Sequence, residues 1–160
     1  MLEKDKTPAL DIVQSTARMM KTLLARRLYE FGLYAGQDRI ILLLAIKDGQ
    51  SPSNLAKQLG VKPPTVTKTI ARLQEQGFVT KRGSHKDQRQ LHVFLTKDGR
   101  KVVNLIESAI DETEREITDG LDEKEHHMLF ALLERVRKNV EHQQSLLSDI
   151  YPDEQVDFLK

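Results

Sequence analysis

The chain has 160 residues, with 25 lysines and arginines against 24 aspartates and glutamates, no cysteine and no tryptophan. The lack of cysteine excludes a disulfide framework, a cysteine-ligated zinc or iron–sulfur site and thiol-based redox sensing by this chain. Eight glycines and five prolines leave little loop, and only 5% of the residues are aromatic, so the composition favours a mostly helical protein with a thin core. Elongated helical chains of this kind commonly complete their cores by oligomerising.

The net charge of +1 conceals a strong segregation of charge along the chain. Residues 1–36 carry six basic and four acidic side chains, residues 37–103 carry thirteen and five, and residues 104–160 carry six and fifteen. The net charges of these segments are therefore +2, +8 and −9. A basic middle segment is typical of a lobe that binds a polyanion, but chance clustering of solvated surface charge would give the same imbalance.

Three helices are predicted in the first 60 residues. An apolar stripe from Pro8 to about Leu33 predicts the first helix. The run from about Asp38 to Lys47 is apolar nearly all round and predicts a second helix buried at the centre. Ser51 and Pro52 predict the start of a short third helix, because serine caps free amides and proline is suited to the first helical position.

The short helix ends at Gly60, and a longer helix opens at residues 61–64 and ends at Gly77. Two helices joined by such a turn make a helix-turn-helix signature. The apolar pattern then alternates at period two over residues 78–82 and 90–95, with the polar loop GSHKDQR between them, which predicts a β-hairpin. Thr96 and Asp122 are predicted to cap two further long helices with apolar stripes.

This order predicts a mostly α protein with a small β-hairpin wing, in which a winged helix-turn-helix core is flanked by added helices at both ends. The predicted divisions are residues 1–36 for the N-terminal helix, 37–100 for the winged helix-turn-helix domain and 101–160 for the C-terminal helices.

The longer helix of the pair carries residue types suited to a DNA groove. Its buried face is predicted to hold Val66, Ile70 and Leu73. The opposite side then presents Pro64, Thr65, Lys68 and Arg72. Short hydrogen-bonding groups near the helix N-terminus approach base edges, and cations meet phosphate or guanine, so this face predicts major-groove contact.

The tip of the hairpin offers a second candidate contact. His85, Lys86 and Arg89 cluster in the loop, and a narrow minor groove favours an inserted arginine. Asp87 is then interpreted as the carboxylate that holds Arg89 in place. Alternation in the preceding strand directs one of Lys81 and Arg82 towards the lobe and the other outwards, so phosphate contact by this pair stays open.

Residues 51–103, SPSNLAKQLGVKPPTVTKTIARLQEQGFVTKRGSHKDQRQLHVFLTKDGRKVV, resemble the DNA-binding core of the MarR (multiple antibiotic resistance regulator) family of bacterial winged-helix repressors. The matching pieces are the LAxxLGV helix and turn, the helix PTVTKTIARLQEQGFV, and the Asp-x-Arg wing of DQRQLHVFLT. The resemblance implies a homodimer on a pseudopalindromic operator, in which residues 37–100 are the DNA-binding domain and the N- and C-terminal helices of residues 1–36 and 101–160 are the dimerisation helices. It also implies a pocket in which a small anionic or aromatic effector weakens DNA binding.

The resemblance also assigns residues. Thr65, Thr67, Lys68 and Arg72 fall on recognition-helix positions, and Asp87 and Arg89 fall on the wing pair. One departure is Lys62, which stands where the family often has serine. A lysine cannot cap the helix with a side-chain acceptor, so that contribution of about 0.5 to 2 kcal/mol is lost or replaced, and Lys62 becomes a candidate phosphate contact.

Four residues near the first helix are candidates for lining the effector pocket, although packing explains each of them equally well: Arg18, Arg27, Tyr29 and Tyr34. The adjacent His126 and His127 point about 100° apart on a helix and cannot chelate one ion as an i, i+4 pair would, so we expect no metal and no cofactor.

No phosphate loop, HExxH motif or nucleophile elbow occurs in the sequence, so we expect no enzymatic activity. We also expect no membrane association, because no apolar run is long enough to span a bilayer, and a location in the bacterial cytoplasm, at the nucleoid when bound to DNA. The alternative function is a winged-helix module that binds protein rather than DNA. Binding that is insensitive to salt would indicate the alternative.

Overall fold

The computed structural model describes residues 8–83 and 91–150, with side chains as far as residue 146. It contains six helices and one two-stranded antiparallel sheet within those ranges. The elements are α1 (Ala9–Glu30), α2 (Gln37–Ile46), α3 (Pro52–Leu59), α4 (Pro63–Glu75), β1 (Val79–Gly83), β2 (Leu91–Leu95), α5 (Lys97–Ile117) and α6 (Glu123–Ile150). This architecture confirms the predicted fold class.

Three predicted helix starts are confirmed by their hydrogen bonds. The Ser51 hydroxyl accepts from the Asn54 amide at 3.2 Å, and the Thr96 hydroxyl accepts from the Gly99 amide at 3.0 Å. Asp122 accepts from the Glu125 amide at 2.9 Å, and the Glu125 carboxylate accepts from the Asp122 amide at 3.0 Å. This reciprocal pair is a capping box, which satisfies two amides that the helix itself leaves without a partner.

The core lies where α2, α3, α4, the hairpin and the first half of α5 pack together. Its fully buried aliphatic side chains come from every one of these elements, for example Ile41, Leu55, Ile70, Val93 and Ile106. The C-terminal part of α1 adds Leu28 and packs on α5. The helix-turn-helix pair and the wing are therefore held by one common core.

The prediction that the second helix is buried at the centre is confirmed, and only its end is exposed. Ile40, Ile41 and Leu44 are buried, whereas Ile46 is 84% exposed. Ile46 is the last residue of α2, and the chain turns away immediately after it through the extended Lys47. Burial of α2 is thus confined to residues such as Ile40, Ile41 and Leu44, which face the other elements.

The hairpin pairs Val79 with Leu95 and Gly83 with Leu91 in antiparallel register. A third segment joins it, because Gln50 forms a bridge with Val93 through N–H···O bonds of 2.9 and 3.3 Å. The turn after α2 therefore supports the outer edge of β2.

The chain divides between Ile117 and Thr118 into two compact units. The second unit contains α6, whose apolar stripe is exposed along its length at Met128, Leu132, Leu133, Val136 and Val140. The functional boundaries expected at residues 36 and 100 stay predictions. None of the helices in the described ranges is long and apolar enough to cross a membrane.

Candidate nucleic-acid interface

The two faces of α4 differ as predicted. Val66, Ile70 and Leu73 are buried, with exposures of 1% or less. The opposite side is exposed and presents Pro64, Thr65, Lys68 and Arg72. The only carboxylate in the sequence of α4 is Glu75 in its last turn, so the first three turns of the exposed face carry positive charge and hydroxyl groups alone.

The start of α4 shows how the chain replaces the missing cap. Lys62 occupies the N-cap position, and its side chain makes no capping hydrogen bond. Pro63 and Pro64 fill the first two helical positions, where they remove two amide donors that would otherwise need a partner. The next amide, that of Thr65, donates to the Lys62 carbonyl at 3.0 Å. Little is therefore lost by having lysine at this position.

The threonine hydroxyls of α4 differ in whether they donate a hydrogen bond to the backbone of the helix. Thr67 donates its hydroxyl to the Pro63 carbonyl at 3.0 Å, and Thr69 donates to the Thr65 carbonyl at 2.9 Å. The Thr65 hydroxyl makes no hydrogen bond to any residue in the described ranges. Thr65 is thus the threonine of the exposed face whose donor is most readily offered to a ligand.

The exit of α4 is fixed to the start of α5. The Thr96 hydroxyl donates to the Gly77 carbonyl at 2.6 Å, and the Thr96 amide donates to the Phe78 carbonyl at 3.0 Å. Gly77 adopts a left-handed conformation with φ of 81°, which turns the chain from the helix into β1. These bonds connect α4, the hairpin and α5 at one point.

The base of the wing is braced by Asp48. One carboxylate oxygen accepts from the Leu95 amide at 2.9 Å and from the Gly49 amide at 3.1 Å, and the other accepts from Arg100. Gly49 lies so close to Phe94 that an added Cβ would stand 2.6 Å from the ring. The carboxylate and the tight turn together fix β2 against the end of α2.

The Arg82 guanidinium lies 5.6 Å from the Phe94 ring centroid, a cation–π contact. Arg82 is exposed while Lys81 is half-buried, so of the two it is Arg82 that faces outward. The predicted wing-tip contacts Lys86, Asp87 and Arg89, together with His85, lie outside the described residues.

The four predicted effector-pocket residues do not form one cluster. Tyr29 and Tyr34 are exposed and meet edge to face, with ring centroids 5.8 Å apart. Arg18 lines an open groove of about 490 Å³ on the surface of α1. Arg27 is bound to α5, because its guanidinium donates to the Thr113 hydroxyl at 3.0 Å and pairs with Glu116 and Glu112. The effector assignment stays a prediction.

Several polar residues that organise this region, Asp48 among them, were not predicted from the sequence. The clearest is Gln50, whose amide nitrogen donates to the Leu43 and Lys47 carbonyls, both at 2.9 Å. Its amide oxygen accepts from Asn54 at 2.7 Å and from Gln58. The only local indication of this role in the sequence is that Gln50 is a polar residue directly before the predicted cap Ser51.

The family model of the MarR family matches residues 33–91. The fold of the transcriptional regulator SlyA is similar, with a TM-score of 0.77 at 24% identity over 88% of this chain and 99% of that one. MepR of S. aureus, solved as a DNA complex, gives 0.75 at 23% identity over 84% and 99% of the two chains. A MarR mutant from E. coli, solved with operator DNA, gives 0.73 at 23% identity over 85% and 98%. Residues 33–91 thus match the MarR family model, and the chain shares its winged helix-turn-helix fold with these solved structures.

Proposed function

We propose that the protein is a transcriptional repressor that binds double-stranded DNA as a homodimer on a pseudopalindromic operator. The observation that carries this proposal is the exposed face of α4, where Thr65, Lys68 and Arg72 stand opposite a fully buried aliphatic face. A helix fixed by its apolar side to a core and displaying short polar groups and cations on the other is suited to the major groove.

The contacts are allocated by reach and chemistry. Thr65 and Lys68 are assigned to base edges, because they lie in the first turns of the helix, whereas Lys62 and Arg72 are assigned to phosphates at its two ends. Pro64 and Thr67 line the same face. Two solved structures of similar fold were determined as DNA complexes, which supports this use of the domain.

The wing is assigned to the adjacent minor groove on sequence grounds. Lys86 and Arg89 supply the cations, and Asp87 holds Arg89 in an extended position. The braced base of the hairpin supports the assignment, because Asp48 fixes β2 to the end of α2 and limits the directions in which a loop beyond it can extend.

The proposed dimer uses the terminal helices. α6 exposes an apolar stripe at helical spacing, and the N-terminal half of α1 exposes Leu10, Ile12 and Val13. Apolar faces of this length seldom remain in water, and a second copy of the chain offers the same faces by symmetry. Two α4 helices displayed by one dimer would read two half-sites about one helical turn apart.

Release by a small anionic or aromatic effector completes the proposal. The exposed Tyr29–Tyr34 pair offers aromatic surface, and Arg18 and Arg26 flank the open groove on α1. A ligand that favours a separation of the two α4 helices that misfits the operator would lower occupancy with a coupling of about 1 to 3 kcal/mol.

Selection of bound sequences from random duplex DNA tests the proposal, and the selection is repeated with phenolic acids present. We expect a pseudopalindrome. Affinity for it is expected to fall about 1,000- to 100,000-fold between about 50 and about 200 mM salt, as for proteins that contact six to ten phosphates. Sedimentation of the free protein as a single subunit would contradict the dimer.

Variants of the exposed face separate the roles. Thr65→Ala is expected to change the preferred base at one position of each half-site, and Lys68→Ala is expected to weaken binding to the selected operator. Lys62→Ala is expected to weaken binding to all sequences and to lower the salt dependence by the equivalent of about one phosphate contact. Lys101→Ala removes the same charge from an exposed position on α5 and is the matched control. Salt-insensitive binding to a protein, with no affinity for any duplex in dilute buffer, would support the protein-binding alternative.

A further inference from the structure

A side-chain amide joins the exit of α4 to the segment that follows α1. The Gln76 amide nitrogen donates to the Gly32 carbonyl at 2.5 Å, and its amide oxygen accepts from the Gln37 amide nitrogen at 2.7 Å. Gln37 is itself 1% exposed, and its oxygen accepts from the Tyr34 backbone amide at 2.8 Å. A continuous chain of three hydrogen bonds therefore runs from residue 32 to residue 76.

The donors and acceptors of this chain fit in one orientation only. Because the Gln37 oxygen is used by the Tyr34 amide, the Gln37 nitrogen must face Gln76. Gln76 must then turn its oxygen towards Gln37 and its nitrogen towards the Gly32 carbonyl. Rotating either side-chain amide by 180° would place a donor against a donor and an acceptor against an acceptor. The pair is therefore satisfied in only one orientation of the two amides.

The end of α1 is fixed on its other side as well. Arg27 lies in the last turns of α1 and binds the Thr113 hydroxyl and the Glu112 and Glu116 carboxylates of α5. The C-terminal part of α1 is thus bound to α5 through Arg27, and the segment directly after α1 is bound to the exit of α4 through Gln76. Gln37 is the first residue of α2, and Gln76 is the residue that ends α4, four positions after Arg72.

We propose that Gln37 and Gln76 are positioning residues that set the orientation of α4 relative to α1, and thereby the half-site separation that the dimer accepts. This inference rests on the proposed function, because it presupposes that α4 binds DNA and that α1 belongs to the dimer interface. The two glutamines act through α4 and need not touch DNA themselves.

The test uses the full-length protein and the duplex selected by the wild type, together with two derivatives whose half-sites are moved together or apart by one base pair. Gln76→Met keeps the length of the side chain and removes both hydrogen bonds. Gln76→Glu keeps the acceptor for Gln37 but turns a carboxylate towards the Gly32 carbonyl. Gln74→Met and Gln74→Glu make the same changes at an exposed position on the same helix and are the matched controls.

We expect both Gln76 variants to reduce the preference for the selected spacing about five-fold or more, and both Gln74 variants to keep it. Thermal unfolding of each variant shows that the protein is folded at the assay temperature. In a double-mutant cycle, Gln37→Met combined with Gln76→Met is expected to change the spacing preference no more than the larger single effect, because the two residues act as one unit.

Two results distinguish this inference from the proposal on which it rests. If Lys68→Ala weakens binding as expected but the Gln76 variants keep the spacing preference of the wild type, the positioning role is overturned and DNA binding stands. If the wild type binds no duplex in dilute buffer, the proposed function is overturned and the positioning role falls with it. A purely structural role would lower affinity equally for all three spacings, which also overturns the inference.

Discussion

Gly99, in the first turn of α5, is the position where the structure predicts the largest effect of a single added carbon. A Cβ at residue 99 would lie 2.0 Å from the Phe78 carbonyl oxygen and 3.2 Å from the Leu95 side chain. Carbon and oxygen ordinarily approach to about 3.3 Å, so the start of α5 and the exit of α4 must move apart by about 1.3 Å. The Phe78 carbonyl also accepts from the Thr96 amide and hydroxyl, so these bonds are strained by the same movement.

The magnitude follows from opposing contributions. Alanine is favoured over glycine inside a helix by about 1 kcal/mol. Overpacking costs about 1 to 3 kcal/mol, and each weakened hydrogen bond costs about 1 kcal/mol. We therefore expect Gly99→Ala to lower the free energy of unfolding by about 2 to 4 kcal/mol, against the trend that helix propensity alone would give.

The assay is urea unfolding followed by circular dichroism, with all proteins at one concentration so that any oligomerisation affects them equally. Asn104→Ala is the control, because it improves helix propensity at an exposed position of α5 and is expected to be neutral or slightly stabilising. A Gly99→Ala protein as stable as the wild type would refute the close approach of α5 to the Phe78 carbonyl.

Two further predictions concern α6. Asp122→Ala removes the acceptor of the capping box and is expected to destabilise the start of α6 by about 0.5 to 2 kcal/mol, seen as faster hydrogen exchange of the Glu125 amide, while Asp122→Asn stays close to the wild type. Equal exchange in both variants would contradict the capping role. The hydrogen bond from Arg137 lowers the pKa of the Glu134 carboxyl below its ordinary value. A lowered folded-state pKa means that the pair stabilises α6 above the ordinary carboxyl pKa and that this contribution disappears as the pH falls through the lowered value. Carboxyl chemical shifts during an acid titration measure it, and Arg137→Ala should raise the pKa of the Glu134 carboxyl towards its ordinary value. An unchanged titration would show that the ion pair does not form.

The elements of this fold were predictable because their signals are local. Ser51, Thr96 and Asp122 each begin a helix, and each accepts the amide hydrogen bond that its residue type predicts. The two faces of α4 follow equally from the spacing of Val66 and its apolar neighbours. Period and capping chemistry are therefore sufficient to locate the exposed face on which the DNA-binding proposal depends.

The hydrogen bonds between elements were not predictable, because the polar residues that form them follow no repeating pattern in the sequence. Gln37 meets Gln76 across 39 positions of sequence, and Asp48 meets the Leu95 amide across 47. Nothing in the immediate sequence distinguishes Gln76 from its exposed neighbour Gln74. Only the packing of α2 against α4 and β2 identifies the partners, and packing is a property of the whole fold.

The side-chain hydrogen bonds at the C-terminal end of α4 affect how far its N-terminal end moves when the helix tilts. Its exit is bound to other elements by side-chain hydrogen bonds of Gln76 and Thr96, whereas its first turn is held by backbone bonds, two prolines and the buried side chain of Val66. A helix of 13 residues is about 20 Å long, so a tilt of about 5° pivoting on the exit displaces Thr65 by about 1.5 Å. Because the pivot lies at the C-terminal end of α4, far from the proposed base contacts, a small change in the hydrogen bonds at that end produces a larger displacement at the N-terminal end.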